Sequence, residues 1–275
     1  MSDTRPEGLQ HIKHIVAIAS GKGGVGKSTT TVNVALAMAK AGFKVGVLDA
    51  DIYGPSQGLM LGIAEGTHPE TMEEKWFVPI QAHGVSVMSM AFLVDANTPM
   101  VWRGPMAAGA LQQMLLQTAW GELDYLFVDM PPGTGDIQLT LCQKAQVSGA
   151  VIVTTPQDLA LLDARKGVEM FNKVKVPVLG IVENMSTHVC SQCNHEEAIF
   201  GAGGGAALAQ QYGTELLASL PLSMAIRVLV DSGTPTVVAE PESAAANTYV
   251  QLAHSLVGKL DGTSQSMPSI SIDED

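Results

Sequence analysis

Two short clusters combine residue types that can do chemistry. The first, ASGKGGVGKST, runs from Ala19 to Thr29 and spaces its residues as Gly21-x-x-x-x-Gly26-Lys27-Ser28. That is the phosphate-loop pattern. Its glycines let backbone N–H groups converge on an anion, and the helix that follows offers its positive N-terminus. The lysine bridges β- and γ-phosphates, and the hydroxyl ligates Mg²⁺. Gly21, Lys22, Gly23, Gly24, Val25, Gly26, Lys27, Ser28 and Thr29 are therefore the expected ATP-binding residues, with Ser28 on the metal. Lys22 stands apart, because one lysine is enough to hold a phosphate.

The second cluster is STHVCSQCNHEE, with Cys190 and Cys193 at C-x-x-C spacing. Such a loop offers two thiolates to one metal centre, whereas zinc and iron–sulfur clusters want four ligands. A two-fold dimer would bring two pairs together on its axis. His188 and His195 flank the pair, so a zinc site within one chain, H-x-C-x-x-C-x-H, stays open as an alternative. A thioredoxin-like redox pair lacks its strand–C-x-x-C–helix context. Cys142, in IQLTLCQKA, sits in a helical apolar pattern and reads as core.

Acids supply the third ingredient. VLDADIYGPS holds Asp49 and Asp51, and YLFVDMPPGTGD holds Asp129. Carboxylates at the carboxyl ends of parallel strands share an edge with the phosphate loop. Asp129 fits the acid that holds Mg²⁺ through water, and Asp49 joins Ser28 and Asp129 in the expected metal set. The plainer alternative is that Asp49 and Asp129 cap the loops that follow them.

These residues need strands to position them. Short apolar runs at Ile15–Ala19, Val45–Asp49, Val85–Met90, Tyr125–Asp129, Ala150–Thr155, Val178–Val182 and Leu216–Leu220 read as strands. Several are apolar on both faces, as in a sheet covered on both sides. Helical patterns lie between them at Lys27–Ala41, Pro105–Ala119, Ile137–Ala145, Asp158–Val174, Gly204–Tyr212 and Glu242–Leu260. This alternation predicts an α/β P-loop NTPase fold, a doubly wound, mostly parallel sheet with helices on both faces. Residues 14–260 read as one domain, after a short arm at 1–13 and before a flexible acidic tail at 261–275, with 65–76 as a loop.

Bulk composition narrows the partners. With 15 Lys+Arg against 27 Asp+Glu, the net charge is −12, which repels nucleic acid and anionic membrane surfaces. No apolar run approaches the ~18 residues of a membrane span. MSDTRPEGLQHIKH lacks the apolar core of a signal peptide, and a cytoplasmic protein is expected. Three cysteines do not make a disulfide framework. At 46% hydrophobic residues the chain can bury a core.

The lysine directly after the first glycine makes GKGGVGKST resemble the deviant Walker A loop of the MinD/ParA/nitrogenase-iron-protein class. DADIYGPS, TPMVWRGPM, DMPPGTGDIQLTL, TPQDLALLDARKG and VENMS, in that order, together resemble the Mrp/ApbC family of iron–sulfur carrier ATPases, from about His14 to Leu260. That resemblance implies a homodimer that hydrolyses ATP slowly, carries a bridging [4Fe–4S] cluster on Cys190 and Cys193, and hands it to apoproteins. It implies that Lys22 reaches across to the partner's nucleotide, as an arginine finger does. It also implies that Asp51 orients the attacking water and that Asn184 reads the adenine edge. The family loop usually reads C-P-x-C-G, and here Ser191 and Asn194 replace its proline and glycine. Arg103, in WRGP, is a cation facing either nucleotide or partner. Two other functions compete: a MinD/ParA-like positioning or segregation ATPase, and a zinc-stapled nucleotide-binding scaffold.

Overall fold

The computed structural model describes residues 6–93, 104–190, 192, 193 and 195–262. Arg103, Ser191, Asn194 and residues 263–275 lie outside them.

In chain order the strands are β1 (Ile12–Ala19), β2 (Val45–Asp49), β3 (Thr71–Met72), β4 (Trp76–Phe77), β5 (Ile80–Ala82), β6 (Val85–Ser89), β7 (Leu123–Asp129), β8 (Gly149–Thr154), β9 (Val178–Glu183), β10 (His188–Val189), β11 (Glu196–Glu197) and β12 (Leu216–Ser219). The helices are α1 (Lys27–Lys40), α2 (Gln57–Met60), α3 (Gly104–Leu116), α4 (Asp136–Ala145), α5 (Asp158–Lys173), α6 (Gly204–Gln211), α7 (Met224–Asp231), α8 (Thr236–Ala239) and α9 (Ala244–Asp261).

Eight strands form one sheet in the order β12-β9-β8-β1-β7-β2-β6-β5. All its pairings are parallel except β5 with β6. Every residue of β2 and β8 is buried, so these central strands are covered on both faces. After β1 the chain winds toward β2, and after β7 it winds past β1 to β8. With right-handed crossovers these two directions put α1 on one face and α4 and α5 on the other. α1 packs with α8 and α9, α3 with α4, and α5 with α6. The reversal of winding beside β1 opens a crevice at the carboxyl edge, where α/β sheets of this kind bind ligands.

Several expected boundaries move. Within the stretch expected as an N-terminal arm, a 3-10 turn spans Glu7–Leu9, Leu9 is fully buried, and β1 starts at Ile12. Residue 261 was expected to open the acidic tail. Asp261 ends α9, and its carboxylate accepts from Lys13 Nζ at 2.6 Å, His14 Nε2 at 2.9 Å and Tyr125 Oη at 2.8 Å. The loop at 65–76 contains the β3–β4 hairpin. α2, α7 and α8 had no matching expectation. α2 and α8 have four residues each, too short for a helical period to declare itself.

Candidate functional site

β1 delivers the chain into the glycine loop, and Lys27 begins α1. Gly24 and Gly26 take φ of +79° and +86°, which L side chains rarely adopt. Gly26 also has no room for a side chain, because a Cβ there would lie 2.0 Å from Asn184 Nδ2. At Gly23 and Gly24 a Cβ would meet nothing within 4 Å, so the loop's outer wall is open. The N–H groups of the first turn of α1 have no intrahelical acceptors and point toward that opening. Ser20, Gly23, Gly24, Lys27, Ser28, Thr29, Asp51 and Pro132 are among the residues lining a cleft of about 480 Å³, open to solvent. An open wall, oriented N–H groups and a lysine suit a polyphosphate.

Lys27 is nearly buried, and its ammonium lies 2.6 Å from Asp129 Oδ1, 3.2 Å from Ser28 Oγ and 3.9 Å from Asp51 Oδ2. Asp129 is fully buried and well supplied with donors. Thr31 Oγ1 donates to Oδ1 at 3.2 Å, and Gln57 Nε2 donates to Oδ2 at 2.8 Å. Removing one partner from a buried ion pair of this kind costs about 3–5 kcal/mol. Lys27, Ser28, Asp51 and Asp129 thus meet at one point, although 102 residues separate Lys27 from Asp129.

Asp49 lies beside Asp129 in register across β2 and β7. Its oxygens face inward. Oδ2 accepts from the backbone N–H of Ser56 and Gln57 at 2.8 and 2.9 Å and from Ser89 Oγ at 3.2 Å, while Oδ1 accepts from Asp51 N–H at 3.2 Å. The carboxylate therefore ties the loop after β2 to the sheet. Burial and then the neighbouring Asp129 charge push its pKa up to about 7, against the pull of those N–H bonds and of Lys27. Burial also raises the pKa of Asp51, with Lys27 pulling the other way.

Lys22 is partly exposed, and among the described residues nothing bonds or pairs with its ammonium. Its backbone is fixed: Ser20 Oγ donates to the Lys22 carbonyl at 2.9 Å. Gly21 beside it packs against α5 so closely that a Cβ would lie 2.2 Å from the Asp163 carbonyl. Asn184, at the exit of β9, donates from Nδ2 to the Val25 carbonyl at 2.8 Å and so braces the glycine loop from behind.

Cys190 and Cys193 project from the loop between β10 and β11, a hairpin of two-residue strands. Cys190 is partly exposed and Cys193 exposed. Bonds from the backbone of Gln192 and Cys193, and then from the Cys193 side chain, lower the Cys190 pKa and favour the thiolate. His188 turns away to the Leu222 carbonyl, 3.2 Å from its Nδ1. Among the described residues no three His, Cys, Asp or Glu side chains converge as a metal site. Cys142 is buried in α4, and burial pushes its thiol up to about 12, as expected of core.

Sequence reasoning missed Gln57, Thr31 and Gln138. Gln138 Nε2 donates to the Pro131 and Pro132 carbonyls at 3.2 and 3.0 Å and shapes the loop after Asp129. Only proximity in sequence to Asp49, Lys27 and Asp129 hinted at them.

Known proteins align with this arrangement across nearly the whole chain. The model of the ParA family described as NUBPL iron-transfer P-loop NTPase matches residues 11–257. An iron-sulfur cluster carrier protein of Pseudomonas fragi is 69% identical over 246 residues, 90% of this chain and 86% of that protein. The iron-sulfur cluster transfer protein NUBPL of Mus musculus is 48% identical over 254 residues, 92% of this chain and 79% of that protein. A nucleotide-binding protein from Archaeoglobus fulgidus, solved in complex with ADP, superposes with a TM-score of 0.74 at 40% identity, covering 86% of this chain and 92% of that one. The septum site-determining protein MinD of Pyrococcus horikoshii, complexed with Mg-ADP, gives 0.67 at 23% identity over 88% and 95%, a likeness of fold alone. A phosphate loop at the head of a mostly parallel sheet, and matches of this extent and identity, lead to one conclusion: the chain belongs to the NUBPL family of iron-transfer P-loop NTPases.

Proposed function

We propose that this protein is a homodimeric ATPase that carries a [4Fe–4S] cluster on the cysteine pairs of two chains and delivers it to apoproteins. The carrying observation is the Cys190–Cys193 pair. It is partly to fully exposed, Cys190 is disposed toward thiolate, and among the described residues the pair is two ligands short of a cluster. A second copy supplies the missing two. Exposed apolar side chains support a partner at this edge. Tyr53 and Leu59 follow β2, Leu159 and Leu162 follow β8, Val189 follows β9, and Met224 follows β12. The names of the Pseudomonas fragi and mouse relatives agree with the carrier role.

MgATP supplies the phosphoanhydride bond and the cation that balances its charge. The open glycine wall and the N–H groups of α1 receive the phosphates, and Lys27 exchanges Asp129 for them. Ser28 and Asp129 would hold that cation, which would neutralise charge on the phosphates. Asp49 was expected among the metal ligands. Its inward bonds favour a role in fixing the loop that carries Asp51. Asp51, with its raised pKa, orients the attacking water. Lys22 crosses to the partner's phosphates and stabilises charge in the transition state. Asn184 offers its Oδ1 to adenine, since Nδ2 is committed to Val25.

Anaerobic reconstitution with iron and sulfide, with mass measured in solution, tests this reading. The expected product is one [4Fe–4S] per two chains, transferable to an apo-acceptor. Zinc at one per chain, lost when His188 or His195 is replaced, would establish the zinc scaffold instead. A protein that takes up neither metal would favour a positioning ATPase.

A further inference from the structure

We infer that Gln57 is a positioning residue of the nucleotide site, which couples Asp129 to the loop carrying Asp51. The inference rests on the nucleotide reading above. Gln57 is fully buried at the start of α2, and it touches the site's parts from one place. Its Nε2 donates to Asp129 Oδ2 at 2.8 Å and to the Ser28 carbonyl at 3.0 Å, which uses both amide hydrogens. Its backbone N–H donates to Asp49 Oδ2 at 2.9 Å. One residue thus joins the ends of β2 and β7 and the first turn of α1.

Space filling does not explain the choice of side chain. Gln57 Oε1 is buried with no hydrogen-bond partner, one of two such side-chain atoms among the described residues. A methionine or leucine would occupy the volume without leaving an orphaned acceptor, and an unsatisfied buried carbonyl is unfavourable. The amide is retained for what Nε2 does. Its orientation is also fixed, because a flipped amide would set Oε1 against the Asp129 carboxylate and the Ser28 carbonyl.

The division of labour on Asp129 shows the consequence. Lys27 and Thr31 take Oδ1, and Gln57 takes Oδ2. When Lys27 moves to a phosphate, Oδ1 loses its charged partner. Gln57 then keeps the carboxylate from turning, so that Oδ1 still faces the nucleotide side. The same amide registers that change on the segment from Asp51 to Met60, which carries exposed Tyr53 and Leu59 on either side of Gln57. Occupancy of the phosphate site is thereby felt by a loop that lies toward solvent.

The test compares wild type with Gln57→Met, which keeps the volume and removes the amide. Hydrogen exchange over residues 50–61 is measured with and without Mg²⁺ and a non-hydrolysable ATP analogue, beside steady-state turnover. In wild type the analogue is expected to protect both the glycine loop and residues 50–61. In Gln57→Met the glycine loop remains protected, protection of residues 50–61 falls at least tenfold, and turnover drops about tenfold with KM for ATP little changed. Gln57→Glu keeps shape and polarity but brings acceptors against Asp129, and it repeats the test should the methionine variant not fold. Wild-type protection or turnover in both variants overturns the proposal. So does a wild-type loop indifferent to the analogue. Turnover absent from wild type, with loop coupling present and lost in the variants, would defeat the ATPase reading and leave the role of Gln57 standing.

Discussion

The glycine loop and the cysteine hairpin both emerge from the carboxyl edge of the sheet, and they are built in opposite ways. Around Lys27 and Asp129 the charges are buried and every oxygen of Asp129 has a donor. Around Cys190 the support is a two-residue ladder, the thiols are partly or fully exposed, and among the described residues no third ligand converges on them. In the first site one chain gathers Lys27, Ser28, Asp51 and Asp129 by itself. The second offers two thiols where an iron–sulfur cluster takes four ligands. A phosphate is recognised by shape and charge, which a rigid cradle supplies. On the carrier reading proposed above, cargo must be released as well as held, and an exposed pair of thiols suits both.

The sharpest way to break this contrast is at the cysteines. Cys190→Ala or Cys193→Ala is expected to remove all stably bound cluster, read as iron and sulfide per chain, because each takes two of four thiolates from a shared site. Fold stability and ATP affinity should both hold, since neither thiol is part of the core. Cluster retained by either variant would defeat the shared-site model.

Next in size is Lys22→Ala. ATP affinity is expected to survive, while turnover falls by ~10³ if Lys22 acts as a finger from the neighbouring chain. Mixed dimers with wild type decide the direction. If each site depends only on its own lysine, the across-dimer role is wrong.

Lys27→Ala tests the buried side. Calorimetry should find ATP affinity lower by ~10² or more, as when one partner of a buried charge pair is removed. The protein without nucleotide should also lose about 3 kcal/mol in denaturant unfolding, because Asp129 stays buried without its cation. Adding Asp129→Asn should recover part of that loss. Unchanged stability in the single variant would mean that the pair contributes nothing to the fold.

The smallest effect lies at the opposite edge, where Asp261 pins α9 to β1. Burial pushes the Asp261 carboxyl up, but the bonds from Lys13, Tyr125 and His14 outweigh it and hold it at about 2. A depressed carboxylate stabilises the fold above its unfolded pKa of 3.8, and the effect is lost as pH falls toward 2. Asp261→Asn should therefore destabilise at pH 6 by less than about 1 kcal/mol, given solvent screening, and have no effect near pH 2. An equal loss at both pH values would assign the effect to packing.

What could be read from sequence follows the same division. Strands such as Val45–Asp49 and helices such as Lys27–Lys40 announce themselves by continuous apolar runs and by a glycine–lysine start. Lys13 and His14 hid the first turn of β1, since polar residues at a sheet edge look like a loop. The residues of the cradle were named from their spacing, and the structure gathers Lys27, Ser28, Asp51 and Asp129 around one cleft. The direction in which Asp49 faces was not legible. That depends on which backbone N–H groups fold back to meet it, and no local pattern records a bond from Gln57 to Asp49. Gln57 itself reads in sequence as an ordinary polar loop residue.

Gly26 and Asn184 extend these packing constraints into evolutionary time. A Cβ at Gly26 would collide with the Asn184 amide, and φ there already excludes most side chains. Asn184 in turn owes its position to the Val25 carbonyl. Neither position can drift alone: a larger residue at 26 needs a smaller one at 184, and a smaller one at 184 gives up the brace behind the loop. Opening space at 184 would not by itself admit a larger residue at 26, because the left-handed backbone there still resists one.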